Sequence, residues 1–323
     1  MVMAIRVHQP GGVEELKFEE VPLAAPAPGE VQIRHRAIGV NFIDIYRRTG
    51  AYPANYPFIP GHEGAGEVIA LGEGVKGFKI GERVAYIGAL GGYSEARNID
   101  AASLIHLPKS ISFDQGAAMM LKGLTAQYLL RRTFRVKKGH CILIHAGAGG
   151  TGQLLCQWAR ALGAKVIATV GSAEKSQLAL AAGAHHVILY REEDFAQSVR
   201  EITKGKLCDV VYDGVGQATF PASLDCLKPF GLFVSFGSAS GPISAFELGL
   251  LTQKGSLYAT RPSLFDYIAR RKDYEAMTQD LLKAIKRGDL KIQPPDCYPL
   301  SEARGVHAAL EARTTTGALA LIP

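Results

Sequence analysis

The sequence predicts an α/β protein of two units, a doubly wound parallel sheet of six strands and a β-rich, partly barrel-like unit. Three observations carry that prediction. Apolar runs alternate with amphipathic helical stretches from about Ser112 onward, short alternating stretches broken by glycine and proline turns precede them, and the chain has 323 residues. At roughly 150 residues per domain, that length suits two cores.

The elements follow in order. From Arg6 to Val84 the texture is that of Val31-Gln32-Ile33-Arg34-His35-Arg36, apolar and polar by turns, as in half-buried strands. Asp114 can cap a helix running through Met119, Leu121, Leu124 and Leu129 to Arg132. The apolar run Cys141-Ile142-Leu143-Ile144 then ends in glycines, and further runs lie at 165–170, 186–189, 209–212, 231–236 and 256–260. Helical stretches separate most of them, for example 153–162, with Leu154, Leu155, Trp158 and Leu162 on one face. Strand, helix, strand at this spacing means a parallel sheet with right-handed crossovers and helices on both faces. After Arg261 a helix is expected over 266–286, then a last apolar segment at 318–322. A parallel sheet has no obvious place for that segment, so it is expected to rejoin the N-terminal unit. The expected division is 1–122 with 263–323 as a discontinuous β-rich domain, and 123–262 as the parallel-sheet domain.

Composition narrows the class. Apolar residues make up 47% and charged residues 20%, which excludes a disordered or fibrous chain. No apolar run approaches the ~18 residues needed to span a bilayer, and the first residues lack a secretory pattern, so a cytoplasmic location is expected. Five cysteines without close spacing give neither a disulfide framework nor a C-x-x-C motif. The net charge of +6 suits anionic partners such as phosphorylated cofactors. Its densest source, Arg131, Arg132, Arg135, Lys137 and Lys138, reads as a solvated helix end, with nucleic-acid binding the lesser alternative.

The run His145-Ala146-Gly147-Ala148-Gly149-Gly150-Thr151-Gly152 contains G-x-G-x-x-G directly after an apolar strand and at the start of an amphipathic helix. That context fits a dinucleotide turn: Gly147 for the tight turn, Gly149 for approach of the pyrophosphate, Gly152 for close helix packing. An acid about 20 residues on would favour NAD. Instead the second strand runs into Gly171-Ser172-Ala173-Glu174-Lys175, where Gly171 leaves room, Ser172 can donate a hydrogen bond and Lys175 can meet a 2′-phosphate. Glu174 opens a helix and faces elsewhere, so the expected cofactor is NADPH.

Several separate motifs now occur in a familiar order: Gly39-Val40-Asn41-Phe42-Ile43-Asp44, Pro60-Gly61-His62-Glu63-Gly64-Ala65-Gly66, Gly81-Glu82-Arg83-Val84, Leu121-Lys122-Gly123-Leu124-Thr125-Ala126, the glycine turn and Lys254-Gly255-Ser256-Leu257. Over nearly its whole length the chain resembles the zinc-independent quinone oxidoreductases, the zeta-crystallin-like branch of the medium-chain dehydrogenases/reductases. The resemblance implies a Rossmann domain and a GroES-like catalytic domain, NADPH as cofactor, a quinone as substrate and a homodimer. In zinc-dependent relatives a cysteine stands where this chain has Asn41, and no cysteine precedes Cys141. Catalytic zinc needs three protein ligands. Asp44 and Glu63 could join His62, but His62 reads as a hydrogen-bonded structural histidine and no metal is expected.

The resemblance also implies site residues. Asn41, Phe42, Asp44 and Tyr46 border the nicotinamide cleft, with Tyr52 a neighbour. Asn41, Tyr46 or Tyr52 can hydrogen-bond a quinone oxygen. Cofactor contacts are carried to Tyr128, Gly150, Thr151, Gly171, Ser172, Lys175, Tyr190, Val215, Phe236, Gly237, Ser238, Ser240, Arg261, Pro262, Ser263 and Leu264. Where relatives place a lysine after T-x-G, this chain reads Thr315-Thr316-Gly317-Ala318, leaving Thr315 as the substitute. The run 256–260 is expected at the sheet edge, where an apolar strand invites isologous pairing. An NADPH-dependent reductase of α,β-unsaturated carbonyls, and a non-catalytic crystallin-like or RNA-binding role, are the alternatives.

Overall fold

The computed structural model describes all residues, 1–323. The chain forms two compact units, Met1–Leu121 with Ile292–Pro323, and Lys122–Lys291.

The first unit is built on strands. β1 (Val2–Arg6) and β2 (Lys17–Val21) pair antiparallel, and β3 (Glu30–Val40) is the spine of a larger sheet. Alternation along β3 buries Val31, Ile33 and His35 and exposes Arg34 and Arg36, as a period of two requires. A short helix α1 (Phe42–Arg48) follows, then β4 (Glu63–Leu71), β5 (Arg83–Ile87), β6 (Ala96–Asp100) and β7 (Leu104–His106). Helix α2 (Phe113–Tyr128) begins in this unit and crosses the boundary at Leu121. Its cap is Ser112 rather than the expected Asp114. Ser112 Oγ faces the Gln115 amide N–H at 3.4 Å while the Ser112 N–H donates to Gln115 Oε1 at 3.2 Å, a reciprocal box with Asp114 left in the first turn. The expected continuation to Arg132 becomes a π turn over Leu129–Thr133, and the Leu129 carbonyl accepts from the Tyr212 hydroxyl at 3.1 Å.

The second unit alternates strand and helix: β8 (Cys141–Ile144), α3 (Gly150–Ala161), β9 (Lys165–Val170), α4 (Ala173–Ala181), β10 (His186–Leu189), α5 (Phe195–Ile202), β11 (Cys208–Asp213), α6 (Ala222–Asp225), β12 (Leu227–Ser235), α7 (Gly249–Gln253) and β13 (Tyr258–Thr260). The six strands are parallel in the order β10-β9-β8-β11-β12-β13, the doubly wound arrangement expected, with β13 at an edge. Its switch point, where ligands bind outside the strand ends in such folds, lies between β8 and β11. Leu143, Ile167, Val211 and Phe233 pack with α5 and α6 into one core.

The expected helix over 266–286 is two helices, α8 (Leu264–Tyr267) and α9 (Arg271–Arg287). Arg270 is extended at φ −97°, ψ 130°, and the Tyr267 ring is held on Tyr128 with centroids 4.5 Å apart. The expected boundary at 262/263 is also displaced, because α9 belongs to the parallel-sheet unit. It buries Tyr274, Met277, Thr278, Leu281 and Ala284, and Leu281 lies on Gly123, where an added Cβ would come within 2.7 Å. Asp280 and Asp273 of α9 pair with Arg131 and Arg132, and both arginines stay exposed.

The chain then returns to the first unit with β14 (Asp296–Pro299), α10 (Ala303–Glu311) and β15 (Leu319–Ile322). The sheet there runs β14-β15-β3-β4-β5-β7, with β6 beside β3, and β15 pairs antiparallel with β3. That pairing gives the last apolar segment its place, beside Ile38 and Val40 in a core shared with Leu319 and Leu321. No helix is long and apolar enough to cross a membrane.

Candidate functional site

In the parallel-sheet unit the chain leaves β8 through His145 and Ala146, which takes the left-handed region at φ 55°. Gly147 then approaches β9 so closely that an added Cβ would sit 2.7 Å from the Ala168 methyl, and its N–H donates to Thr169 O at 3.0 Å. At Gly152 an added Cβ would lie 2.2 Å from the Ala146 carbonyl oxygen, so the first turn of α3 packs on the loop only because the side chain is absent. Gly149 is the contrast. A Cβ there would meet only Ala146 O, at 3.3 Å, leaving its outer face open beside the N-terminus of α3. The amides of Gly150, Thr151 and Gly152 have no intrahelical acceptor by position and carry the positive end of the helix dipole, which suits a pyrophosphate.

At the end of β9, Ser172 is the N-cap of α4 and accepts from the Lys175 N–H at 3.4 Å. An added Cβ at Gly171 would lie 3.0 Å from the Tyr190 hydroxyl and 3.4 Å from Arg191 Nε. Lys175 is half-buried, and burial followed by the nearby Arg191 charge lowers its pKa. Tyr190 and Arg191 thus crowd Gly171, with Lys175 near enough to Arg191 for its charge to be felt, a local excess of positive charge that suits an anion. Arg191 was not among the expected residues. Its signal is present in the sequence, a cation just after the third strand, but it lies outside the stretch 171–175 that follows β9 and faces the 2′-phosphate in the sequence reading.

The loop after β12 is held by Arg261, whose guanidinium donates to Ser235 Oγ at 3.0 Å, Gly237 O at 3.2 Å and Ser238 Oγ at 2.7 Å. Phe236, Ser240 and Val215 are half-buried near it, and Ser240 Oγ donates to Val215 O at 2.8 Å. Pro262 and Ser263 follow as an open segment. Tyr128 and Leu264 lie deeper. They are 2% and 7% exposed, with Tyr128 stacked on Tyr267.

In the strand-rich unit, Phe42, Tyr46 and Tyr52 form a row of half-buried rings. Phe42 and Tyr46 are 6.2 Å apart, Tyr46 and Tyr52 5.1 Å, and the Tyr52 N–H donates to Tyr46 O at 2.9 Å. Asn41 starts α1, and its amide donates to Glu63 Oε1 at 2.7 Å, while Glu63 Oε2 accepts from the Leu121 N–H at 2.6 Å. Asp44 completes the cap of α1. It is fully buried, and Oδ2 accepts from the Asn41 N–H at 2.9 Å and the Tyr93 hydroxyl at 3.2 Å. From Tyr93 the network continues to His307 at 2.9 Å, then to Arg48 at 3.3 Å and Glu311 at 2.6 Å, so α1 is anchored to α10. Thr315 lies half-buried before β15.

The residues at the zinc position of related enzymes do not suit the metal. Position 41 is an amide and both Glu63 oxygens hold hydrogen bonds, so the neighbours of His62 do not supply the three protein ligands that catalytic zinc needs. Burial pushes His62 down to about 4, and no group of three or more His, Cys, Asp or Glu could hold an ion. Dinucleotide binding is different, because the glycine turn and the Gly171 cluster supply the open backbone and the cations it requires.

A strand-rich unit closed by the chain's last strand, together with a doubly wound unit bearing a glycine turn, defines a medium-chain dehydrogenase/reductase. Comparison with known proteins agrees. Residues 27–109 match the alcohol dehydrogenase GroES-like domain and residues 150–283 the zinc-binding dehydrogenase family. A quinone oxidoreductase of Pseudomonas aeruginosa is 51% identical over 97% of this chain and 97% of that protein. A crystal structure of Pseudomonas syringae pv. tomato quinone oxidoreductase covers 100% of both chains with TM-score 0.98 at 50% identity. The structure of Escherichia coli quinone oxidoreductase complexed with NADPH covers 99% of this chain and 100% of its own, with TM-score 0.97 at 49% identity. The chain belongs to the quinone oxidoreductase family.

Proposed function

We propose that this protein reduces quinones with NADPH by direct hydride transfer and without a metal ion. The observation that carries the reading is the whole-chain match to quinone oxidoreductases, one of them solved with NADPH. When bound, the cofactor supplies a hydride from its nicotinamide ring. The chain's own residues bind and orient. Amides of Gly150, Thr151 and Gly152 hold the pyrophosphate, and Lys175, Arg191, Tyr190 and Ser172 hold the 2′-phosphate. The Arg261-braced loop, with Val215 and Phe236 to Ser240, flanks the nicotinamide half.

A quinone asks little further of the protein. Its conjugated carbonyls accept hydride readily, and the charge that arises on oxygen spreads into a forming aromatic ring. Phe42, Tyr46 and Tyr52 offer flat apolar surface for such a ring and phenolic O–H groups for its oxygens. The Asn41 amide, with one N–H given to Glu63, is the lesser donor.

Homodimerisation is part of the proposal. β13 is an open edge, and Tyr258 on it is 62% exposed, with Leu248 at 74% and Phe230 at 69% in the same unit. Isologous pairing would cover that edge. Five free cysteines suit the reducing cytoplasm, the compartment we propose.

The test is oxidation of NADPH and NADH with a benzoquinone, an ortho-quinone and an acyclic enone, with a chelator present throughout. The expected result is NADPH-dependent reduction of both quinones, slower enone reduction and no effect of the chelator. Preference for the enone, or activity abolished by chelation, would overturn the assignment.

A further inference from the structure

The end of β11 holds a polar cluster that no step of the reduction uses. Asp213 is fully buried with both oxygens occupied. Oδ1 accepts from the N–H groups of Val215 at 2.7 Å and Gly216 at 3.0 Å, and Oδ2 from the hydroxyls of Thr219 at 2.6 Å and Ser223 at 3.3 Å. Ser223 Oγ in turn lies 3.0 Å from His145 Nε2, and His145 Nδ1 lies 2.9 Å from the Thr169 hydroxyl. A serine, a histidine and a carboxylate invite comparison with a hydrolytic triad, but the serine stands between the other two and all three are at most 1% exposed. Nucleophilic attack on a substrate is therefore excluded.

The direction of the hydrogen bonds follows from the acceptors. The Asp213 carboxylate and the Thr219 carbonyl, 2.9 Å from Ser223 Oγ, can only accept, so the serine O–H points toward them. Ser223 must then accept from an Nε2–H of His145. Burial lowers the His145 pKa and keeps the ring neutral, so Nδ1 is bare and accepts from Thr169. The chain of bonds runs one way, Thr169 to His145 to Ser223 to Asp213.

Its position gives it meaning. Thr169 stands two residues before Gly171, His145 two before Gly147, and Asp213 two before Val215. These are the three segments read above as nucleotide-contacting, at the ends of adjacent strands β9, β8 and β11. We infer that Asp213, Ser223 and His145 are positioning residues: the buried carboxylate fixes one tautomer of His145, and through it sets the three nucleotide-holding loops in register. This rests on the functional reading, since it concerns the same cofactor site. A buried carboxylate is costly unless its hydrogen bonds are complete, and a complete network of this kind specifies a single arrangement of the loops that carry it.

The experiment uses Ser223→Ala, Ser223→Thr and Asp213→Asn in the full chain. For each, the measurements are NADPH dissociation constant, KM for NADPH and for benzoquinone, thermal midpoint, and the nitrogen-15 spectrum of His145. The wild type is expected to show a neutral Nε2–H ring at pH 7.5. Ser223→Ala should raise the NADPH dissociation constant and KM about tenfold and leave the quinone KM unchanged. Ser223→Thr, which keeps the hydroxyl, should restore most of the affinity, and Asp213→Asn should disturb both affinity and tautomer. Unchanged NADPH affinity in Ser223→Ala and Asp213→Asn, or an equal rise in both KM values with a lowered midpoint, would overturn the inference alone. A wild type that binds no NADPH would overturn the functional reading and the inference together.

Discussion

Gly152 and Glu63 do comparable work by opposite means. Gly152 lets α3 seat on the loop because it lacks an atom, and an added Cβ would lie 2.2 Å from Ala146 O. Glu63 fixes the start of α1 because it has atoms, one oxygen for the Asn41 amide and the other for the Leu121 N–H. The two units follow these two patterns. The parallel-sheet unit opens its site through missing side chains at the glycine turn and backs it with the buried Asp213 network, whereas the start of α1 in the strand-rich unit rests on buried polar pairs across long sequence separations, such as Arg48 with His307. Backbone sites tolerate no added volume, whereas buried side-chain networks are exposed to proton uptake.

Acid should separate the units most. Of the four buried histidines, three lie in the strand-rich unit, with His35 and His307 pushed down to about 3 by burial and His62 to about 4. Above the unfolded value near 6.5 both states are neutral and pH has no effect through them. Below it the unfolded chain takes protons that the folded chain refuses, so stability falls with pH from about 6.5 down to about 4. Between pH 7 and 5 the loss is about 2 kcal/mol per histidine, about 6 kcal/mol for the three, which is comparable with a whole domain's stability. Circular dichroism should therefore change before the fluorescence of Trp158, buried in the other unit. Coincident transitions, or no loss by pH 5, would contradict this.

The next effect strikes the other unit. Gly152→Val should lower NADPH affinity about hundredfold in a fluorescence titration, because the new side chain displaces the amides of α3. A change below threefold would show that the loop is not held by close packing. Replacing Lys175 and Arg191 together by alanine should reduce kcat/KM for NADPH about thirtyfold through lost charge-assisted bonds, sparing NADH. Equal losses for both nucleotides would remove these cations from the 2′-phosphate. The smallest effect is expected from Tyr46→Phe combined with Tyr52→Phe, about tenfold in kcat with benzoquinone, below the hundredfold typical of a fixed oxyanion donor, since ring aromatisation spreads the charge. Unaltered turnover would dismiss the hydroxyls.

The same division explains what could be read in advance. The six parallel strands, the glycine turn and the return of 318–322 to the first sheet follow from local periodicity and spacing. So does the edge position of β13, although the strand is only Tyr258–Thr260 and Ser256 turns at φ 53°. The helix over 266–286 carries no glycine or proline to announce its break at Arg270, which a tertiary contact, Tyr267 on Tyr128, accompanies instead. The bond from Tyr93 to Asp44 could not be read, because the two residues stand 49 positions apart. Arg191 and the Asp213 network join segments that are neighbours only once the sheet has formed.

The central claim is that hydride passes from NADPH to the quinone without an ion between them. A single-turnover reaction of the chelator-treated protein, with NADPH deuterated at the transferred position against undeuterated NADPH, tests it most directly. The account predicts a normal primary isotope effect on quinone reduction, the same with or without chelator. Reduction that shows no isotope effect in single turnover, or that requires added metal, would contradict it.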